Sequence, residues 1–192
     1  MHLITLQSRK AIPVLLNKKP FISDFEHILS SKVELTEHRE LYEKTKLKAY
    51  QLLMKQYDYK NPPIFCCIVD TIADFDLISS KKDKIIIEME VPDEYVKVHG
   101  FENWAYIYYL IYKNYLTESI YDMLKNGLDG KNIDYNQAVQ AVIPYINPEW
   151  VLGIWKPCES FVTHFSGGAV LDECQFRHNI LWKNRNYKGN IS

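Results

Sequence analysis

Three features that mark specialised classes of protein are missing from this sequence of 192 residues. The net charge of −1 provides no global field that would draw the chain to nucleic acid or to a membrane surface. No apolar run reaches the roughly 20 residues that span a bilayer, and the first residues do not have the pattern of a signal peptide. Of the four cysteines, Cys66 and Cys67 are adjacent and would point to opposite faces of a strand, so we predict no disulfide framework and expect a cytoplasmic location.

What the sequence does have is the composition of a globular protein. Its residues are 47% hydrophobic and 24% charged, which is typical of a folded domain. We predict one domain over residues 1–174. A tail over 175–192 follows, in which basic residues alternate with aromatic ones and carboxylates are absent.

The clearest local signal is a strand over Ile85–Val91. Its residues alternate, so that Ile85, Ile87, Met89 and Val91 lie on one face and Ile86, Glu88 and Glu90 on the other. A period of two with β-branched residues predicts a strand with one buried face. Pro92 removes a backbone donor and ends the pairing.

The remaining patterns predict an α+β fold with a small mixed sheet of about five strands, covered by two long helices. The other predicted strands are Leu3–Leu6, Ile64–Val69, Trp150–Trp155 and Phe161–Phe165. The two long helices run over Thr36–Tyr57 and Glu102–Lys113, and we expect the second to be mostly buried because it is apolar all round. Shorter helices are predicted over Arg9–Asn17, Phe21–Leu29, Thr117–Gly127 and Asp134–Val142.

Several landmarks in their order resemble a known family. They are Ile4-Thr5-Leu6-Gln7, the helical segment Tyr50–Met54, Ile87–Pro92, Phe101-Glu102-Asn103-Trp104, Val139-Gln140-Ala141 and Glu149-Trp150-Val151. This set resembles the bacterial and phage family known as domain of unknown function 3841, over about residues 1–155. Phe65-Cys66-Cys67 departs from that family, which usually has a Trp-rich segment there. So does Gly100-Phe101-Glu102, where the family tends to have Asp-Phe-Asp. The family name implies no activity.

A second resemblance predicts chemistry. Glu88-Met89-Glu90 at the end of a strand is similar to the Glu-x-Glu arrangement of ADP-ribosyltransferases, in which carboxylates orient a ribose and stabilise an oxocarbenium-like transition state. The resemblance implies NAD as cosubstrate and the catalytic residues Glu88, Glu90 and Gln7, with Thr5 and Trp104 in cofactor binding. Thr5 and Gln7 stand where that group usually has His or Arg. The alternative is that Glu88 and Glu90 face water and pair with lysines.

Two weaker patterns lie near the C-terminus. Cys158, His164, Cys174 and His178 form a ligand set that zinc accepts, but their spacing matches no standard finger. Ser166-Gly167-Gly168 could form a nest of backbone donors for a phosphate, or a simple turn. We therefore predict no metal site.

The tail suggests a different function. Arg177, Lys183 and Arg185 would neutralise phosphates while Trp182 offers a stacking face, as binding of single-stranded nucleic acid requires. This predicts a nucleic-acid-acting or nucleoprotein-binding protein of phage or mobile-element origin, such as a defence inhibitor, and nuclease-like if it is enzymatic. The alternative is a solvated segment. A third hypothesis is a non-enzymatic interaction module that binds a partner through the aromatic helix at Trp104.

Overall fold

A computed structural model describes residues 1–29, 39–68, 84–128 and 139–155, and it confirms the α+β fold class. The strands are β1 (His2–Ser8), β2 (Ile64–Ile68), β3 (Lys84–Glu90), β4 (Lys97–Gly100), β5 (Val139–Ile143) and β6 (Val151–Trp155). The helices are α1 (Ala11–Leu16), α2 (Phe25–Leu29), α3 (Arg39–Tyr57), α4 (Phe101–Tyr112) and α5 (Glu118–Leu124). Short 3₁₀ helices cover Asp93–Tyr95, Lys125–Leu128 and Pro148–Trp150.

The six strands form one sheet in the order β4-β5-β2-β1-β3-β6. The pairs β1–β2, β1–β3, β3–β6 and β4–β5 are all antiparallel. The predicted number of about five strands was one short, and the prediction of a mixed sheet was wrong, because the sheet is antiparallel. The predicted strand Phe161–Phe165 lies outside the described residues.

The chain divides into two compact units. Among the described residues, the first unit holds 1–21, 66–68, 84–94 and 146–155. Its framework is β1 with β3 and β6, and Phe21 forms a bridge with Ile146. The prediction of a single domain over 1–174 stays a prediction.

The second unit holds the described residues 22–29, 39–65, 95–128 and 139–145. Helix α3 buries Thr45, Ala49 and Leu53, one residue per turn, and its outer side carries the ion pair Lys44–Glu40. Helix α4 buries four residues at helical spacing, and Trp104, Ile107 and Ile111 among them pack with α3 and Leu128 in one core cluster. The buried residues of α4 are Trp104, Ile107, Leu110 and Ile111.

The structure corrects three element predictions. The segment Val139–Ile143 pairs with β4 as a strand and is not the end of a helix, because pairing with Lys97–Gly100 outweighs the capping signal at Asp134. Helix α2 covers only Phe25–Leu29, since Phe21 is held in the bridge to Ile146. Helix α4 is not mostly buried, because its outward side is exposed.

Helix α5 ends at Leu124 and not at Gly127, which lies in a 3₁₀ helix. A Cβ at Gly127 would lie 2.5 Å from the side-chain nitrogen of Asn103, so a larger residue here would require the exposed Asn103 side chain to move. No helix in the described ranges is long and apolar enough to cross a membrane.

Candidate active site

Strands β1 and β3 decide which predicted site residues share a face. The antiparallel register pairs His2 with Glu90 and Ile4 with Glu88. Paired residues point to the same side of a sheet, and side chains alternate along each strand. His2, Glu88 and Glu90 therefore lie together on one face of the first unit.

Glu88 is buried, which the alternation of β3 did not predict. Its relative exposure is 1%, and the strand is buried on both faces as far as Met89. An ionised carboxylate in such a position requires a partner. The partner is His2, whose Nε2 lies 2.6 Å from Glu88 Oε1. The alternative of two glutamates facing water and pairing with lysines was wrong for Glu88.

Glu90, the last residue of β3, has a different environment. Its side chain is 60% exposed, and its Oε1 lies 3.0 Å from the α-amino group of Met1. The same amino group lies 3.2 Å from Asp93 Oδ1 and donates to the carbonyl of Val91. Burial acts to lower the pKa of this amino group, but the hydrogen bonds and charges of Glu90 and Asp93 raise it overall. The amino group therefore stays protonated at neutral pH. An ionised carboxylate has about four acceptor positions, so Glu90 can accept hydrogen bonds from other donors as well.

The other neighbour of β3 is irregular beside Glu88. Glu88 pairs with Gly153 of β6 and Met89 pairs with Val151, so Leu152 is an extra residue that forms a β-bulge. Gly153 contributes no side chain next to Glu88. Bulges frequently occur beside active sites because they redirect side chains and interrupt pairing.

Thr5 and Gln7 lie on the opposite face from Glu88 and Glu90. The register pairs Thr5 with Ile87 and Gln7 with Ile85, and both polar side chains are buried. Gln7 Nε2 donates to Thr5 Oγ1 over 2.9 Å. The structure therefore does not bring Thr5 and Gln7 together with Glu88 and Glu90. Neighbouring residues of a strand point to opposite faces, and both Thr5 and Gln7 pair with isoleucines of the other face.

Trp104 belongs to the core of the second unit. It is 8% exposed, and its ring lies 5.8 Å from Phe65, 6.2 Å from His99 and 6.3 Å from Tyr108 between centroids. Protein side chains therefore surround the ring that was predicted to bind a cofactor. Its role in the described structure is packing.

The same unit contains a buried polar group that sequence reasoning missed. His99 is fully buried, and its Nδ1 lies 3.2 Å from Tyr57 Oη, which donates to the carbonyl of Leu128 over 2.6 Å. A hydroxyl has one proton, so Tyr57 must accept from His99 and the ring carries its proton on Nδ1. His99 Nε2 and the Oε1 of its strand partner Gln140 are buried without a hydrogen bond among the described residues. Burial lowers the pKa of His99 to about 4. The nearby side chain of Gln140, which can accept a hydrogen bond from the protonated ring, raises this pKa by a smaller amount.

The adjacent cysteines of β2 are unreactive by environment. Cys66 is buried and Cys67 half-buried, and they are not bonded to each other. Burial raises the pKa of the Cys66 thiol, with a smaller contribution from Cys67, and it raises the pKa of Cys67 to about 12. Neither thiol is a nucleophile at neutral pH, because thiolate is the reactive form.

Several predicted site residues lie outside the described ranges. They are Arg177, Trp182, Lys183 and Arg185 of the tail, the set Cys158, His164, Cys174 and His178, and the turn Ser166-Gly167-Gly168. Nucleic-acid binding by the tail stays a prediction. Within the described ranges, no group of three or more His, Cys, Asp or Glu side chains could hold a metal ion.

His2 is the residue of this site that sequence reasoning did not select. The sequence did contain a signal for it. Strand β1 starts at His2, and residues two positions apart on a strand lie on the same face, so His2 shares the face of Ile4. The predicted strand began one residue later, at Leu3. Sequence alone also cannot give the β1–β3 register, which brings His2 to Glu88 across 86 positions.

Comparisons with known proteins identified no similar protein. No protein-family model, curated protein or solved structure matches the chain. Both resemblances therefore stay predictions, and the chemistry of the site is argued from its own residues.

Proposed function

We propose that the protein is an enzyme of the ADP-ribosyltransferase type, which cleaves the bond between nicotinamide and ribose in NAD. The observation that carries the proposal is Glu88, a carboxylate buried in β3 between the apolar residues Ile85–Ile87 and Met89. Burying a charged group is unfavourable unless it is paired. Ionisable groups kept in such positions are candidates for a functional site.

The two glutamates have different roles in this proposal. Glu90 is exposed at the end of β3, so it is the carboxylate that ribose hydroxyls reach. Glu88 is fixed by its hydrogen bond to His2 and supplies fixed negative charge on the same face. A preorganised negative charge stabilises positive charge that develops on the ribose as the glycosidic bond breaks. Gln7 has no part in this site, because it lies on the other face of the sheet.

The test is incubation of the protein with NAD and measurement of released nicotinamide by chromatography. We expect Glu88→Gln to lower kcat by about 100-fold or more, since removal of one electrostatic stabiliser has effects of that order. Glu90→Gln should raise KM by roughly tenfold, because it weakens a charge-assisted hydrogen bond to the ribose.

Glu94→Gln is the matched control, since Glu94 is an exposed acid in the adjacent 3₁₀ helix, and it should leave both constants unchanged. The proposal fails if the unmodified protein neither releases nicotinamide nor gains thermal stability from millimolar NAD.

A specific observation favours a second candidate, the non-enzymatic interaction module. Helix α4 exposes about half of each of three aromatic side chains, Phe101 (49%), Tyr106 (52%) and Tyr109 (49%). Aromatic residues are enriched where protein partners bind. Here Trp104 supports the helix from the core, and the outward aromatic residues would contact the partner.

The first partner to test is a second copy of the chain, by light scattering after size-exclusion chromatography. If α4 mediates self-association, Tyr106→Asp combined with Tyr109→Asp should convert a dimer into a monomer. Tyr115→Asp is the control, because Tyr115 is 63% exposed but lies beyond the end of α4. An unmodified protein that is already monomeric at high concentration would rule out this partner.

A further inference from the structure

We propose that helix α4 pairs with the same helix of a second copy of the chain, antiparallel and about a two-fold axis. The inference rests on the second candidate function and deepens it, since it gives the orientation in which the two copies bind. Four exposed residues of α4 and its C-cap carry it. They are Glu102, Tyr106, Tyr109 and Lys113, and we call them the outward stripe.

The spacing of the outward stripe is that of a seam between two helices. Its members are four, three and four positions apart, and residues at alternating intervals of three and four line the contact of a coiled coil. The buried residues Trp104, Ile107 and Ile111 lie on the opposite side of the helix. Helix α4 therefore has one seam that packs in the core of the second unit and another that lies on the surface.

An antiparallel pair gives every member of the outward stripe a partner of matching chemistry. We align Glu102 with Lys113 of the second copy. Because the chains run in opposite directions, the same alignment places Tyr106 opposite Tyr109 of the second copy. The two-fold axis repeats both contacts, as in any isologous interface. Opposite charges then meet at each end, and aromatic rings meet in the middle, where they can stack or pack edge to face.

The charges decide between antiparallel and parallel pairing. Glu102 lies in the first turn of α4 and Lys113 at its C-terminal end. A parallel pair would bring glutamate to glutamate and lysine to lysine, whereas the antiparallel pair brings opposite charges together. Lys113 is already positioned on this side, since its Nζ lies 6.0 Å from the ring centroid of Tyr109 and 5.5 Å from that of Tyr112.

The length of α4 limits the strength of the contact. A helix of 12 residues is about 18 Å long. One pair of such helices buries less than the roughly 800 Å² per partner of a standard stable interface. We therefore expect a weak dimer with a Kd roughly in the micromolar range, measured on the full chain by sedimentation velocity between about 1 and 500 µM.

Reversal of the charges tests the pairing. In the antiparallel dimer, Glu102→Lys places lysine against lysine at both ends, and Lys113→Glu places glutamate against glutamate. We expect each variant alone to raise Kd about tenfold. An equimolar mixture of the two variants has opposite charges at both ends again, so it should form a mixed dimer with about the Kd of the unmodified protein. This recovery would also show that both variants are folded.

Matched controls reverse exposed charges outside α4. Glu118→Lys changes an acid in the first turn of α5, and Lys48→Glu changes a lysine of α3. Each should leave Kd unchanged, because neither residue belongs to the outward stripe.

The outcomes separate the pairing from the function on which it rests. If Tyr106→Asp with Tyr109→Asp abolishes the dimer but each charge reversal leaves Kd unchanged, the antiparallel pairing is overturned while the second candidate function stands. A parallel pair would give this result, because each reversal exchanges one pair of like charges for another. If the reversals weaken the dimer and their mixture does not recover it, the contact of Glu102 with Lys113 is overturned. An unmodified protein that stays monomeric up to about 500 µM overturns self-association itself, whereas turnover of NAD bears only on the first candidate.

Discussion

His99 links the stability of the second unit to pH. Its ring is fully buried between aromatic side chains and hydrogen-bonds Tyr57. Burial lowers its pKa to about 4, against an ordinary value of about 6.5 in an unfolded chain. Between these two values the unfolded chain binds a proton that the folded protein does not, so acid favours unfolding.

We expect this effect to be fully absent above about pH 7 and to grow as the pH falls from 6.5 towards 4. At pH 5 it should lower the free energy of unfolding by roughly 2 kcal/mol. Urea unfolding of His99→Asn at pH 7.5 and pH 5 checks this, because asparagine keeps a short polar side chain that does not titrate. The difference between the two pH values should shrink by about that amount in the variant. An unchanged difference would show that other groups cause the acid sensitivity.

At the residue scale, the sequence predicted which side chains share a face of the sheet better than it predicted how buried they are. The alternation in Ile85–Val91 correctly placed Glu88 and Glu90 on one face. It could not show that Glu88 is buried while Glu90 is exposed, because burial depends on which parts of the chain cover that face. The buried polar group at His99 had no sequence signal, since a lone histidine in an apolar segment does not reveal its partners.

At the scale of the secondary-structure element, three helices end in the same backbone conformation. Helices α1, α3 and α4 are each followed by a residue with positive φ: Lys18 (56°), Asp58 (55°) and Asn114 (57°). After α1, Lys18 N donates to Leu15 O and Lys19 N donates to Val14 O. These two bonds form the Schellman motif that satisfies the last carbonyls of a helix. Glycine is the preferred residue at the positive-φ position, and none of the three helices has it.

Replacement of Lys18 by glycine should therefore stabilise the protein. A left-handed conformation is unfavourable by about 1–2 kcal/mol for a residue with a Cβ, and glycine removes this strain while losing more entropy on folding. We expect a net gain of about 0.5–1 kcal/mol in the free energy of unfolding. Thermal and urea unfolding measure it.

Lys19→Gly is the matched control, because Lys19 is also exposed but does not have positive φ. It should be neutral or destabilising. Equal effects of the two substitutions would contradict the conformational explanation.

The helices and strands that have clear local sequence signals are the ones that could be predicted. Thr117 was predicted to cap α5, and its side chain accepts from the backbone of Ile120. The ends of β2, β3 and β6 were predicted to within one residue and those of β1 to within two, since their apolar or alternating runs are bounded by turn residues. The segment Val139–Ile143 was predicted as helix because a capping signal precedes it, and nothing local indicates the pairing with β4. The order of the strands depends on contacts between distant segments and could not be predicted.

At the scale of the whole molecule, β1 is the strand on which the first unit depends. It is paired on both sides, and Leu3, Ile4 and Thr5 are almost completely buried. Backbone amides in such a position exchange with solvent only when the structure opens globally. Helix α5, by contrast, has no buried residue, so it should open locally.

Hydrogen exchange should therefore rank these two elements clearly. We expect the amides of Leu3–Leu6 to exchange at the rate set by global unfolding, and those of Glu118–Leu124 to exchange faster by at least about tenfold. Mass spectrometry of peptides from the two segments measures both rates in one experiment. Comparable protection in the two segments would contradict the central role of β1.

The position of β1 also has a consequence for synthesis on the ribosome. During synthesis this strand can pair with β3 only after more than eighty further residues have been made, as the separation of 86 between His2 and Glu88 shows. At about 5–20 residues per second, that interval lasts roughly 4–17 s. Throughout it the edge of Leu3–Leu6 that pairs with β3 has unpaired backbone groups, and the other edge also lacks its partner until β2 has been made. The nascent chain should thus be a ligand for chaperones that bind extended apolar segments, until β3 emerges.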